Sequence, residues 1–461
     1  MTKKELPLQY QAAFKNADIR GIYPTEIDEV VAYRVGRALP YVLQAKQVVV
    51  ARDMRCSSPK LYTALIDGVR NSGGEVIELG LVPATALYYA AGTWQCWGVM
   101  VTASHNPADY NGLKIVQPGA VPLTNASGMK VVQKFVRTYK STDYPIVKKR
   151  GQKRSRKIVR TYVKAMERAV ALPKSSKPVR IVADAGNGMA SVMLAELSTD
   201  SAYKIKVLNA KLDGTFPARA SNPMLRKNQR PIREALKTGC YDLGISFDGD
   251  GDRVAFFLPN GTMLNGAVAG AMIAEQLLRK QLGASCVDTV FNSRIYRETV
   301  RRAGGKIKVA RVGHAFIKEQ MRKHETIFAC EHSGHYYFQD NYYADSALLA
   351  VRSLVRAIIE HDGDVMTATK PYRQYHQTEE ILIEVADKKA VLAAVAEKYQ
   401  ALPDTTITKF DGVTVDQSDA WFTVKPSVTE DALKFVVESK STKRAKAVQA
   451  ELHQFLQAQA G

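Results

Sequence analysis

The chain has 461 residues, 46% of them apolar and 24% charged, which is material for several hydrophobic cores and excludes a disordered chain. The 65 Lys and Arg against 45 Asp and Glu give a net charge of +20, which points to an anionic partner, small or polymeric, or to a basic surface. No apolar run reaches the roughly 18–20 residues of a membrane span, MTKKELPLQYQAAF lacks a signal-peptide core, and five scattered cysteines without CxxC spacing exclude a disulfide framework; the expected location is the cytoplasm, with no membrane partner.

At about 150 residues per domain, the length predicts three or four domains. The first apolar run, QVVVARDMRCSS at 47–58, passes through a polar loop into a helical pattern. A second buried strand, WGVMVTAS at 97–104, ends in TASHNP (102–107) and DYNGLK (109–114). Pro107 and the Asn111-Gly112 pair make this an ordered turn. Ser104 therefore sits where a strand end presents its hydroxyl, with Lys114 close in sequence to supply charge or a proton. A lone Ser-His pair also suits a turn or a helix cap, and no GxSxG elbow supports acyl transfer. The run KKRGQKRSRK at 148–157 has seven basic residues and no acid. Without interleaved aromatics it offers nothing for base stacking, so no nucleic-acid partner is expected and the run reads as an exposed connector.

The strand–loop–helix design recurs at 179–191 (VRIVADAGNGMAS) and at 288–298 (DTVFNSRIYRE), which predicts βαβ units with mixed or parallel sheets in three related α/β domains. Between these stretches, LGISFDGDGDR at 243–253 runs an apolar strand into Asp248, Asp250 and Asp252. Gly249 and Gly251 let the backbone turn tightly enough for three carboxylates to converge. Oxygen-only ligands select a hard cation such as Mg²⁺, Mn²⁺ or Ca²⁺. An EF-hand starting at Asp248 would need Gly and Glu where Arg253 and Pro259 stand. An aspartyl-phosphatase DxDx[TV] loop would need Thr or Val at the place of Asp252, which weakens a metal-dependent phosphatase without excluding it.

Farther on, RVGHAF (311–316) places His314 beside a glycine. In CEHSGHYYF (330–338), Glu331, Ser333 and His335 alternate, so an extended segment puts them on one side as partners for sugar hydroxyls. The last ninety or so residues predict a smaller α+β unit: strands in EEILIEV, WFTVK and LKFVVES, a helix over 387–400, and a closing helix along Ala445, Val448, Leu452, Phe455 and Leu456. In VKPSVTEDALK (424–434), Lys425, Ser427 and Thr429 alternate as a cradle for phosphate. Boundaries near 150, 254 and 370 give domains 1–150, 151–254, 255–369 and 370–461.

In this order the loops resemble the α-D-phosphohexomutase superfamily, most closely its phosphomannomutase/phosphoglucomutase branch. The resemblance adds FKNADIRGIYP (14–24) and VGHAFIKEQMRK to the serine, metal, sugar and phosphate loops. It implies three related α/β domains with mixed sheets and a C-terminal α+β domain around a central cleft. It implies that Ser104 carries a phosphoryl group, with Asp248, Asp250, Asp252 and the phosphoserine itself as ligands of Mg²⁺. Mannose 6-phosphate and mannose 1-phosphate, and with them glucose phosphates, would interconvert through a hexose 1,6-bisphosphate that also serves as activator. Phosphoglucomutase and phosphoglucosamine mutase are alternatives within the superfamily. Arg20, Lys114 and His314 would serve catalysis, and Arg253 would add positive charge. Glu331, Ser333 and His335 would bind the sugar, and Arg294, Lys425, Ser427 and Thr429 the non-reacting phosphate. The partners implied are phosphorylated hexoses, with the chain a monomer or homodimer. Lys425, Val428 and Asp431 depart from the family's phosphate loop, where Arg, Gly or Asn, and Pro are usual. Cys330 stands at a usual glycine.

Overall fold

The computed structural model describes residue 10 and residues 12–175, 177–427 and 431–459. They form two compact units, the first of residues 1–264 and 333–365 and the second of 265–332 and 366–461.

Unit 1 carries two mixed sheets. The seven-stranded sheet runs Ile19–Ile22, Tyr110–Gln117, Trp97–Val101, Gln47–Arg52, Glu75–Leu81, Lys153–Ser155, with Val121–Pro122 on the flank of the second. Gln47–Arg52 is parallel to both its neighbours, whereas Tyr110–Gln117 is antiparallel to Trp97–Val101 and to Ile19–Ile22. Strands buried on both faces explain the unbroken apolar runs at 48–51 and 97–101. The helices Glu29–Leu43 and Ser58–Asn71 cross at glycines, where a Cβ on Gly36 would overlap the Leu65 carbonyl and one on Gly68 that of Tyr33. Asp28 caps the first of them by accepting from Val31 N at 2.8 Å.

The four-stranded sheet runs Val254–Phe257, Leu243–Phe247, Val179–Asp184, Tyr203–Leu208, its first pair antiparallel and the others parallel. It thus continues past the boundary at 254, because the strand after the Asp loop turns back onto the strand before it. The hairpin Tyr336–Phe338/Ala344–Asp345 and the helix Ala347–Ile359 also belong to unit 1. That helix is tied down by Tyr162 Oη to Ser346 Oγ (2.8 Å) and by Arg352 Nε donating to the Val170 carbonyl (3.0 Å).

Unit 2 contains three parallel strands, Lys306–Ala310, Ser285–Thr289 and Phe328–Cys330, with helices Gly266–Lys280 and Arg294–Arg302. The strand expected from 288 lies earlier, at Ser285–Thr289, because Ser293 caps the following helix and ends the run. A six-stranded antiparallel sheet follows, built on Ala420–Pro426 and Ala432–Ser439. Helices Lys388–Gln400 and Thr442–Ala458 line its core through Val391, Val395, Val448, Leu452 and Leu456. Val413–Asp416 and Thr406–Thr408 extend it beyond Ala420–Pro426, and His376–Gln377 and Ile381–Glu384 pair with Ala432–Ser439; the strands at 406–408 and 413–416 carry too little periodicity to read.

The basic run is exposed as expected, but it is more than a connector. Lys153–Ser155 pairs in parallel with Glu75–Leu81 at the edge of the large sheet, and cations on an edge strand discourage edge-to-edge pairing.

Candidate active site

Ser104 follows the buried strand Trp97–Val101 with φ +50°, a left-handed backbone uncommon for a non-glycine residue. Three contacts hold it there. Its N–H donates to Thr102 Oγ1 (2.9 Å), and its carbonyl accepts from Arg55 Nη2 (2.9 Å) and Ser221 Oγ (2.8 Å). Arg55 is fully buried, pairs with Asp53 at 3.2 Å, and also donates to the carbonyls of Asn106 and Tyr110. Strain at a defined position, fixed by surrounding bonds, is a mark of a functional site.

The hydroxyl of Ser104 donates to Asp248 Oδ2 at 2.8 Å and lies 3.3 Å from His105 Nδ1. Burial, reinforced by Arg253, Arg20 and other nearby cations, holds the His105 imidazole well below its usual value, so it is neutral at pH 7. Asp248, Asp250 and Asp252 are essentially unexposed and offer carboxylate oxygens within 4.8 Å of one another. Gly249 fits only because it lacks a side chain: a Cβ would lie 2.6 Å from Ser221 Oγ and 2.8 Å from the Ser104 carbonyl oxygen. Gly251 turns the loop at φ +74°.

Lys114, on the strand Tyr110–Gln117, donates to Asp250 (2.7 Å) and Asp252 (2.6 Å). Burial alone would lower its pKa, but the two carboxylates raise it well above the ordinary value, so Lys114 is a fixed cation. Asp252 is raised by burial and pulled down more strongly by Lys114 and His335, to about 2. Asp248 and Asp250 are driven up, by burial first and then by the neighbouring carboxylates.

Two unit charges about 4 Å apart at an effective dielectric near 20 interact by about 4 kcal/mol. Lys114 pairs with Asp250 and Asp252 but not with Asp248, so it does not by itself neutralise the three carboxylates. Oδ1 of Asp250 and Oδ1 of Asp252 are buried without a hydrogen-bond partner. All-oxygen donors, incomplete neutralisation by Lys114 and two orphaned oxygens fit a hard divalent cation.

Other expected residues surround this loop in unit 1. Arg20, on Ile19–Ile22, donates to Asn106 Oδ1 at 2.8 Å and pairs with Asp18. Arg253 donates its backbone N–H to Asp248 Oδ1 (3.1 Å), and its buried Nε has no partner. His335 Nδ1 lies 3.2 Å from Asp345 Oδ2 and 3.9 Å from Asp252 Oδ1, and Gly334 accepts from Val254 N (3.0 Å), which fixes this turn to the strand leaving the Asp loop. Ser333 belongs to the same turn and the same unit.

Unit 2 holds the rest. Glu331 follows Phe328–Cys330, and His314 opens the helix His314–Lys323. Cys330 is accommodated by Gly270, where any Cβ would overlap its Sγ. Lys425 closes the strand Ala420–Pro426, with Nζ 3.6 Å from Asp411 Oδ2, and Ser427 N donates to the Ala432 carbonyl (2.9 Å). Thr429 and Val428 lie outside the described residues. Asp431 is exposed and pairs with Lys388 at 3.2 Å. Arg294 does not join Lys425. It pairs with Asp416, whose strand partner is Trp421, four positions and about 13 Å along the strand from Lys425.

Several contributors have no motif of their own: Arg55, Ser221, Asp345 and Asp411. The RDMR that follows the first strand was the single sequence signal for Arg55; the others depend on tertiary placement.

The chain matches all four parts of one family. These are phosphoglucomutase/phosphomannomutase alpha/beta/alpha domain I over residues 11–142, domain II over 160–261, domain III over 265–375, and the C-terminal domain over 380–454. Among curated relatives, the phosphohexose mutases of Xanthomonas campestris are 33% identical over 439 residues, covering 93% of this chain and 95% of theirs. A phosphomannomutase of Methanocaldococcus jannaschii is 30% identical over 434 residues, covering 94% and 95%. A solved phosphoglucomutase/phosphomannomutase family protein from Burkholderia thailandensis superposes with a TM-score of 0.85 at 28% identity, covering 97% and 98%. With a strained serine hydrogen-bonded to the aspartate loop and full-length matches in every part, this chain belongs to the phosphoglucomutase/phosphomannomutase family of phosphohexomutase enzymes.

Proposed function

We propose that the protein interconverts mannose 6-phosphate and mannose 1-phosphate, and with them the glucose phosphates, through a phosphorylated Ser104. The observation that carries this reading is the Ser104 hydroxyl bonded at 2.8 Å to Asp248 of the three-aspartate loop. Asp248, Asp250 and Asp252 would hold Mg²⁺, with an oxygen of phosphorylated Ser104 as a further ligand. The ion would supply neutralising charge for phosphoryl transfer.

In the first half-reaction, the Oγ–P bond of phosphorylated Ser104 breaks as a P–O bond forms to the free sugar hydroxyl, which gives up its proton. The product is a hexose 1,6-bisphosphate. It then presents its other phosphate, the sugar O–P bond breaks, and the phosphoryl group returns to Ser104 while the sugar oxygen regains a proton. Positioning and charge stabilisation provide most of the catalysis in such transfers. Arg20, Arg253 and Lys114 place positive charge around the serine. Lys114, fixed as a cation, serves electrostatics or donates a proton; it is poorly suited to remove one. His314 is the candidate for proton exchange with the sugar hydroxyl. Glu331, Ser333 and His335 recognise the sugar hydroxyls, and Lys425, Ser427 and Thr429 the phosphate that is not transferred.

The test is turnover of mannose 1-phosphate with Mg²⁺ and a trace of glucose 1,6-bisphosphate, followed by ³¹P NMR. Ser104→Ala is expected to lower kcat at least about 10³-fold; near-normal turnover in that variant refutes the nucleophile. Net release of inorganic phosphate that survives loss of Ser104 would instead identify an aspartyl phosphatase. Comparing kcat/KM for mannose, glucose and glucosamine 1-phosphates assigns the sugar.

A further inference from the structure

The turn that carries His335 brings a second set of donors up to the aspartate loop, and all of them belong to unit 1. Nδ1 of His335 lies 3.2 Å from Asp345 Oδ2 and 3.9 Å from Asp252 Oδ1, and one atom from each of the three residues lies within 4.8 Å of the others. His335 is 7% exposed, and Asp252 and Asp345 are 1% exposed. Among the described residues, His335 Nδ1 and Asp252 Oδ1 have no hydrogen-bond partner. A histidine merely oriented by Asp345 would commit Nδ1 to an aligned hydrogen bond with that carboxylate. Here the two atoms are close without that alignment. A buried nitrogen and a buried oxygen are left facing each other, which costs free energy unless a ligand satisfies both.

Backbone register places the three donors. Asp345 stands opposite Tyr337 in the hairpin Tyr336–Phe338/Ala344–Asp345, and the His335 ring stacks on the Tyr337 ring at 5.8 Å. Asn341 Nδ2 donates to the Asp345 carbonyl at 3.1 Å. Val254 N donates to the Gly334 carbonyl at 3.0 Å, which joins the turn to the strand leaving Asp252. Lys114 Nζ holds the other oxygen of Asp252, Oδ2, at 2.6 Å and leaves Oδ1 toward His335.

We infer that Asp252, His335 and Asp345 form a binding site for Zn²⁺, separate from the all-oxygen site of Asp248, Asp250 and Asp252 and sharing only Asp252 with it. Zinc bonds of about 2.0–2.2 Å to nitrogen and oxygen place tetrahedral ligands about 3.3–3.5 Å apart. The separations of 3.2 and 3.9 Å therefore need shifts of about half an ångström or less to close on the ion. The donor set selects the metal. An imidazole nitrogen beside two carboxylates suits zinc and its late first-row neighbours, whereas Mg²⁺ keeps to oxygen. Three protein ligands leave a fourth position open, as in zinc sites that also take water or a substrate. The inference rests on the proposed function in one respect alone. The imidazole that holds the ion is the one assigned there to the sugar, so zinc and hexose phosphate exclude each other.

The test is a titration of the full-length protein with Zn²⁺ against a chromogenic chelator, in excess Mg²⁺, on wild type, His335→Gln, Asp345→Asn and Asp248→Asn. Far-UV circular dichroism of each keeps the comparison among folded proteins. Even residues that only orient a metal ligand are worth about 10–100-fold in affinity, so the zinc Kd is expected to rise at least about 100-fold in His335→Gln and Asp345→Asn. It is expected not to rise in Asp248→Asn, which belongs to the other site alone. Co²⁺ in the Mg²⁺-loaded wild type gives a reading that needs no variant: an imidazole-containing site of low coordination number absorbs strongly in the visible, an octahedral all-oxygen site weakly. Zinc lost in Asp248→Asn but kept in folded His335→Gln or Asp345→Asn overturns the site. So does a Co²⁺ spectrum of the octahedral kind alone, or a wild type that binds no zinc. Mannose 1-phosphate is expected to weaken zinc binding; if it binds and leaves zinc unchanged, the exclusion is overturned. Wild type that binds zinc but no hexose phosphate overturns the proposed function and leaves the zinc site standing.

Discussion

At the level of single residues, Lys114 does in this chain what a metal would otherwise do alone: it supplies positive charge to a cluster of buried carboxylates. Removing one partner of a buried ion pair typically costs about 3–5 kcal/mol, because the other charge is left uncompensated. Lys114→Met is therefore expected to melt well below wild type in EDTA. Added Mg²⁺ should recover part of that loss by binding the folded state alone, and equal melting of the two proteins in EDTA would contradict the charge argument. Ser104 and the three aspartates were legible in the sequence because each motif is local: a strand, a turn and a side chain within a few positions. Asp345 and Asp411 were not. Their partners His335 and Lys425 lie 10 and 14 residues away in sequence, and their meeting depends on strand register and loop packing. Arg294, which the resemblance groups with Lys425, opens the helix Arg294–Arg302 and pairs with Asp416, opposite Trp421.

At the level of elements, the strand–loop–helix pattern was readable wherever a buried parallel strand gave a continuous apolar run. It was less readable where edge strands are short and polar, as at Lys153–Ser155 and Thr406–Thr408. The basic run shows the limit of composition: seven cations in ten residues look like a connector, yet an edge strand needs only backbone pairing on one side. The packing of helices Glu29–Leu43 and Ser58–Asn71 is a sharper case. Gly36 and Gly68 oppose each other, and each glycine's missing Cβ makes room for the other helix's backbone. Gly68→Ala is expected to destabilise the protein by about 1–3 kcal/mol or more, because backbone cannot move aside as a side-chain tip can. Urea unfolding checks this. A neutral result would mean that the helix pair slides freely, and activity per folded molecule should change little, since neither glycine touches the serine or aspartate loops.

At the level of the whole molecule, three related α/β parts and a distinct C-terminal one were legible, but their assembly into two compact units was not, because the chain changes unit three times, after Leu264, His332 and Val365. The second change falls inside the sugar motif, so that Glu331 and His332 belong to one unit while Ser333 and His335 belong to the other. Unit 1 needs the late helix Ala347–Ile359, which is buried along most of its length against residues such as Tyr162 and Val170. A fragment of residues 1–264 is accordingly expected to lack a cooperative thermal transition even though it contains Ser104 and all three aspartates; a sharp, wild-type-like melt would show that the helix is dispensable. The same threading sets a timetable for synthesis. Residues 265–365 must leave the ribosome before unit 1 can close, and at roughly 5–20 residues per second that is a wait of about 5–20 s. For that interval the nascent chain carries its serine and aspartate loops on an unfinished core, which makes this period of translation the one in which a chaperone has most to cover.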